Sequence, residues 1–160
     1  MYFWSIKKLK TQIIENNFNE KDRLKYFFLT NALMLLYFFF LEFIYIKSDI
    51  IYDQIERIIS SLITLLTIYI TYVANGKKSG SDFLGKFTSL YFVLNIKFFV
   101  LSILGYLLLS IILISFFHIP FESENKLKSI CELIFFSITN ILLLWRTYYH
   151  MKDIKRRQIS

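Results

Sequence analysis

Residues 80–88 read GSDFLGKFT and place Gly80, Gly85 and Lys86 at the spacing of a phosphate-binding loop. In that motif, G-x-x-x-x-G-K-[ST], backbone N–H groups cradle the phosphates, the lysine reaches the terminal ones and the adjoining hydroxyl holds Mg²⁺. Here Phe87 stands where the hydroxyl belongs and Thr88 comes one residue late. The rest of the chemical inventory is thin. There is no H-E-x-x-H, G-x-S-x-G or C-x-x-C pattern, and Cys131 is the single cysteine, so no intramolecular disulfide forms. The two histidines, His118 and His150, are far apart in the chain.

The elements that must carry these residues are membrane spans. Of the 160 residues 56% are hydrophobic and 19% aromatic, with one proline. An average soluble domain has about 45–50% apolar residues. The excess sits in four runs, 26–46, 58–74, 98–117 and 130–149. Each has about 17 to 21 residues, enough to cross roughly 30 Å of hydrocarbon at 1.5 Å per residue. The reading is an all-α integral membrane protein, four transmembrane helices in a left-handed bundle, as one domain over 1–160. The N-terminus, MYFWSIKKLK, lacks the apolar core of a cleavable signal peptide.

Basic residues orient the spans. Lys7, Lys8, Lys10, Lys21, Arg23 and Lys25 precede the first. Lys77, Lys78, Lys86 and Lys97 lie between the second and third, and Arg146, Lys152, Lys155, Arg156 and Arg157 at or after the end of the fourth. These 15 compare with four in the other two loops, where Asp49, Asp53, Glu56, Glu122 and Glu124 also lie. The positive-inside rule puts both termini in the cytoplasm. Heavy use of Ile, Phe, Asn, Tyr and Lys suits an AT-rich, bacterial genome, hence an inner membrane.

The phosphate-loop letters then fall in the cytoplasmic loop between the second and third spans. A P-loop needs a strand before the glycine turn and a helix after it, and no strand pattern occurs. Structural roles account for the residues instead. NGKKSG, 75–80, ends one helix, and Ser79 with Asp82 caps the next. Residues 82–96 read as an amphipathic helix in the interface, bending near Asn95–Lys97 into the third span; the alternative is one long tilted helix with Lys97 snorkelling. Residues 1–20, with Phe3, Ile6, Leu9, Ile13, Ile14 and Phe18 at helical spacing, read as a second interfacial helix. Lys7, Lys8, Lys10, Lys86, Lys97, Lys155, Arg156 and Arg157 are expected to face anionic headgroups, with 150–160 a basic tail.

Polar residues mark the packed faces, because lipid tails do not distinguish apolar ones. In the second span Arg57, Ser60, Thr64, Thr67, Thr71 and Ala74 recur at intervals of 3, 4, 3, 4 and 3. This stripe reads first as interhelical packing and second as the lining of a water-filled path. Glu42, Arg57 and Glu132 are expected to form an ion-paired cluster near the outer interface. Asn31, Asn140, Arg146 and His150 form a candidate inner cluster.

RTYYH, Arg146 to His150, resembles the R-x(4–6)-H signature of HEPN ribonucleases, but its spacing is one residue short and it ends a transmembrane run. The four-span layout is similar to that of phage holins and of small membrane proteins accessory to bacterial defence systems, groups unrelated to one another. The expected function is a non-enzymatic membrane interaction or accessory module with a basic cytoplasmic face. It takes anionic lipid, and a protein partner or further copies of itself through that face. No catalytic residue, cofactor, metal or nucleic-acid partner is expected. The alternative is an oligomeric channel or membrane-permeabilising effector; an enzyme at the lipid interface ranks last.

Overall fold

The structure is a computed structural model that describes residues 2–43, 50–118 and 126–159, without the side chains at 34, 36–43, 50, 53 and 159. Every regular element among the described residues is helical. In chain order these are α1 (Ile6–Ile14), α2 (Glu20–Phe43), α3 (Ile50–Ala74), a single 3-10 turn (Lys77–Ser79), α4 (Phe83–Phe117) and α5 (Lys126–Ile159).

Among the described residues three helices are long and apolar enough to cross a membrane: Gln54–Ala74 within α3, Phe83–Phe117 and Lys126–Gln158. The remaining apolar run, 26–46, is helical to Phe43, and its last three residues lie outside the described residues. Few side chains in the spanning stretches are buried by protein. In α4 beyond Phe98 the buried residue is Leu113, while Phe99, Leu101, Leu104, Leu108, Ile111 and Phe116 project outward.

α5 is the organising element. α3 packs on it most extensively, α4 packs beside α3, and α2 rests on the outer side of α4. Among the described residues α2 has no comparable packing with α3 or α5. The polar stripes therefore meet helix by helix, chiefly α3 on α5, and not in one common seam.

α4 resolves the choice between a flat interfacial helix and a long one. It runs unbroken for 35 residues, about 52 Å. Protein covers much of its first half: Leu90, Phe92, Val93 and Leu94 are buried. α1 supplies part of that cover. Its apolar stripe, Ile6, Leu9 and Ile13, packs inward against α4 and α5 in one core with Phe18, Tyr26, Met151 and Ile154. The amphipathic pattern read as a membrane-surface helix is satisfied by protein. A water-facing apolar stripe and a lipid-facing one look alike in sequence, and only the neighbour distinguishes them.

Tyr26 ties α1's entry to this core. Its hydroxyl accepts from the Tyr2 N–H at 2.7 Å and donates to the Tyr2 carbonyl at 3.1 Å. Its ring meets Phe18 and, edge-on, Phe92. One end of the molecule is thus a folded cap, made of α1, the starts of α2 and α4, the 75–82 loop and the last turns of α5.

Candidate functional site

The cap is built around the stretch that resembled a phosphate loop. α3 ends at Ala74, and Gly76 takes the left-handed conformation, φ +97, that turns the chain out of the helix. Gly80 then passes so close to α3 that a Cβ there would sit 2.2 Å from the Asn75 carbonyl oxygen. Asp82 starts α4, its carboxylate accepting from the Gly85 N–H at 3.3 Å. The cap residue is therefore Asp82 itself, not Ser79, whose hydroxyl donates to the Gly76 carbonyl within the turn. The Asp82 carboxylate also pairs with Arg23 of α2 at 3.0 Å, fixing α2 to the start of α4.

Lys86 is the centre of this arrangement. It is 2% exposed, and its ammonium donates to three neutral oxygens: Gln158 Oε1 at 2.9 Å, Ser81 Oγ at 3.3 Å and Asn75 Oδ1 at 3.4 Å. Asn75, itself fully buried, returns a bond from Nδ2 to the Ser81 carbonyl. A buried ammonium requires such partners, because leaving it unpaired would cost several kcal/mol. Lys86 is neither a lipid-facing cation nor a P-loop lysine. It pins three segments of the cap together.

The end of α5 completes the cap. Asp153 pairs with Lys10 of α1 and accepts from Arg157 Nε at 3.1 Å one turn along. Lys155 reaches across Gly76 to donate to the Ser79 carbonyl at 3.3 Å, and Gln158 Nε2 donates to the Ile13 carbonyl at 3.5 Å.

Of the basic residues expected on lipid, Lys10, Lys86 and Lys155 thus turn to protein, because α1 and the last turns of α5 dock on each other. Lys7, Lys8, Arg156 and Arg157 are exposed. Lys97 is half-buried with its ammonium over the Trp4 ring, 5.5 Å from the centroid. Asp153, Asn75, Ser81 and Gln158 were missed in sequence. For Asp153 a signal existed: it is the single acid in the last 28 residues, among six basic ones from Arg146 onward counting His150.

The stripe of α3 lies against its neighbours. Thr67 and Thr71 are buried, and Ser60 and Thr64 half-buried. The threonine hydroxyls bond backward to carbonyls of their own helix, Thr64 to Ser60, Thr67 to Ile63 and Thr71 to Thr67. One interhelical bond joins the stripe to α5: Asn140 Nδ2 donates to Ser60 Oγ at 3.0 Å.

The two clusters expected from sequence fare differently from the stripe. Arg57 is exposed, and Glu132 accepts from the Tyr106 hydroxyl at 2.7 Å with Lys128 at 3.9 Å. The Glu42 side chain lies outside the described residues. Of the inner set, Asn140 meets Ser60. Asn31 is exposed and bonds to the Phe27 carbonyl of its own helix, and Arg146 is exposed beside Trp145. His150 is half-buried, edge-on to Tyr149, 5.7 Å between ring centroids. For Asn31 the reason is topological. α2 packs on the far side of α4, so its polar residues do not reach α5.

Comparison with protein-family models, curated proteins and solved structures finds no match to this chain.

Proposed function

We propose that the chain is a four-span membrane protein with both termini in the cytoplasm, 26–46 joining the three long apolar helices as a span, and that it acts as an interaction module through the cap. The observation that carries this reading is the cap itself. A tail kept only for topology has no need of a buried core, yet here α1 and the end of α5 are held by apolar packing, the Lys10–Asp153 pair and the Lys86 network. The result is a fixed basic surface. Lys7, Lys8, Lys21, Lys25, Lys77, Lys78, Lys152 and Arg156 are exposed on it, against few acids such as Glu15 and Glu20. Anionic headgroups at its rim and an acidic partner surface on its exposed face suit that charge. The bacterial inner membrane is the setting that the composition favours.

Burial of Thr67 and Thr71 inside one protomer supports a packing role for the α3 stripe over a conduit. Two measurements test the proposal. Alkaline phosphatase fused after residues 48 and 122 is expected to be active, and after 77 and 160 inactive; the reverse pattern overturns the orientation. Purified protein in vesicles is expected to leave a potassium gradient intact. A flux abolished by Thr67→Val would overturn the module in favour of the oligomeric channel.

A further inference from the structure

The cap contains a cleft of about 320 Å³ lined by Ile14, Asn16, Ser81, Lys155, Arg157 and Gln158. This volume is at the small end of the range for small-molecule sites. No carboxylate is among the lining residues, and two of the six are cations. Behind the lining lies a third cation: Lys86 donates to Ser81 Oγ and Gln158 Oε1, the very side chains that form part of the wall. Its partners among the described residues are all neutral oxygens, so its charge is solvated but not cancelled by direct contact. The nearest acid on its own element, Asp82, is held by Arg23, and Asp153 is held by Lys10 and Arg157.

From this geometry we infer that the cleft binds a phosphate group of a small, water-borne phosphorylated solute. The cleft supplies what such a group needs, charge-assisted donors from Lys155 and Arg157 with the Ser81 hydroxyl and the side-chain amides of Asn16 and Gln158 as neutral ones. Lys155 has three N–H donors and gives one to the Ser79 carbonyl. Gly76 is part of the design, since a Cβ there would come within 2.9 Å of Lys155 Cε and push the ammonium aside. The recognition differs from a P-loop, in which backbone N–H groups form the cradle. Position favours a free solute over a lipid headgroup. Gln158 is nine residues beyond the apolar stretch 130–149, about 14 Å along the helix.

The inference goes beyond the interaction module and does not depend on it or on orientation. Its test uses the full chain in a zwitterionic detergent, with inorganic pyrophosphate as probe and calorimetric titration as readout. Saturable one-to-one binding is expected, weakened about tenfold or more by Lys155→Gln and by Arg157→Gln. Lys7→Gln, on the exposed face of α1, is expected to bind as the parent does. Both cleft residues are at the surface, and an unchanged melting curve without ligand shows that each variant is folded. Absence of saturable binding overturns the inference, as does binding that Lys7→Gln weakens equally, which would show diffuse attraction to the basic face. A parallel arm uses vesicles of phosphatidylcholine with and without phosphatidylglycerol. Cleft-dependent attachment to the anionic vesicles, without pyrophosphate binding in detergent, would assign the cleft to a headgroup and overturn the free solute.

Discussion

The two halves of α4 are one continuous helix in two different surroundings. From Phe83 to Ile96 most of its apolar residues are covered: Leu90, Phe92, Val93 and Leu94 are shielded by α1, α2 and α5, while Leu84 is exposed. From Phe98 to Phe117 they project outward, with Leu113 buried. In the proposed membrane setting the first half is held by removal of apolar surface from water, as in a soluble domain. In the second, lipid tails would be as apolar as leucine, so burial against protein would add little and close helix contact would take over. The same composition therefore has different energetic meaning at the two ends. The cap has a core of its own, continuous with helices long and apolar enough to cross a membrane.

Single substitutions separate the halves. Leu90→Ala is expected to destabilise by about 2–5 kcal/mol, while Leu104→Ala, on the outward face, stays within about 0.5. Thermal unfolding in detergent measures both; equal losses would erase the distinction. Gly80→Ala comes next, at about 1–3 kcal/mol, because its methyl meets the Asn75 carbonyl at 2.2 Å and backbone has to move. Proteolysis between α3 and α4 is expected to speed up accordingly.

Lys86→Ala leaves the oxygens of Asn75, Ser81 and Gln158 without their shared donor, at about 1–3 kcal/mol. Hydrogen exchange is expected to rise in the 75–82 loop and the last turn of α5 but not in the middle of α3. The smallest effect belongs to the stripe. Ser60→Ala removes one interhelical bond and is expected to cost about 0.6 kcal/mol, and Arg57→Ala, exposed, even less. A loss of several kcal/mol at Arg57 would restore the ion-paired cluster with Glu42 and Glu132 as a structural element.

Several features were legible before any coordinates. Apolar runs longer than any soluble helix needs, interrupted by glycine, asparagine and lysine, define the long helices, since run length and breakers act locally. The period of Ser60, Thr64, Thr67 and Thr71 marks a packed face for the same reason. The site residues were less legible because their partners come from distant segments: Lys10 with Asp153, Lys86 with Gln158, Arg23 with Asp82. The charge of Lys86 was plain, but its exposure was not. In a positive-inside pattern every cytoplasmic lysine looks like a topology signal, and the one folded into a core is indistinguishable by type.

Sequence alone determined that the chain is helical and strongly apolar, that a helix ends at the 75–80 turn, and that its positive charge gathers in the segments that form one end. These follow from backbone propensity and side-chain polarity, which each residue carries with it. Tertiary structure decided that α1 covers α4 and α5, that α2 stays on the far side of α4, and that GSDFLGKFT wraps a buried lysine beside a basic cleft. Those are choices of partner among surfaces of equal hydrophobicity, and they depend on shape and loop closure across the whole chain.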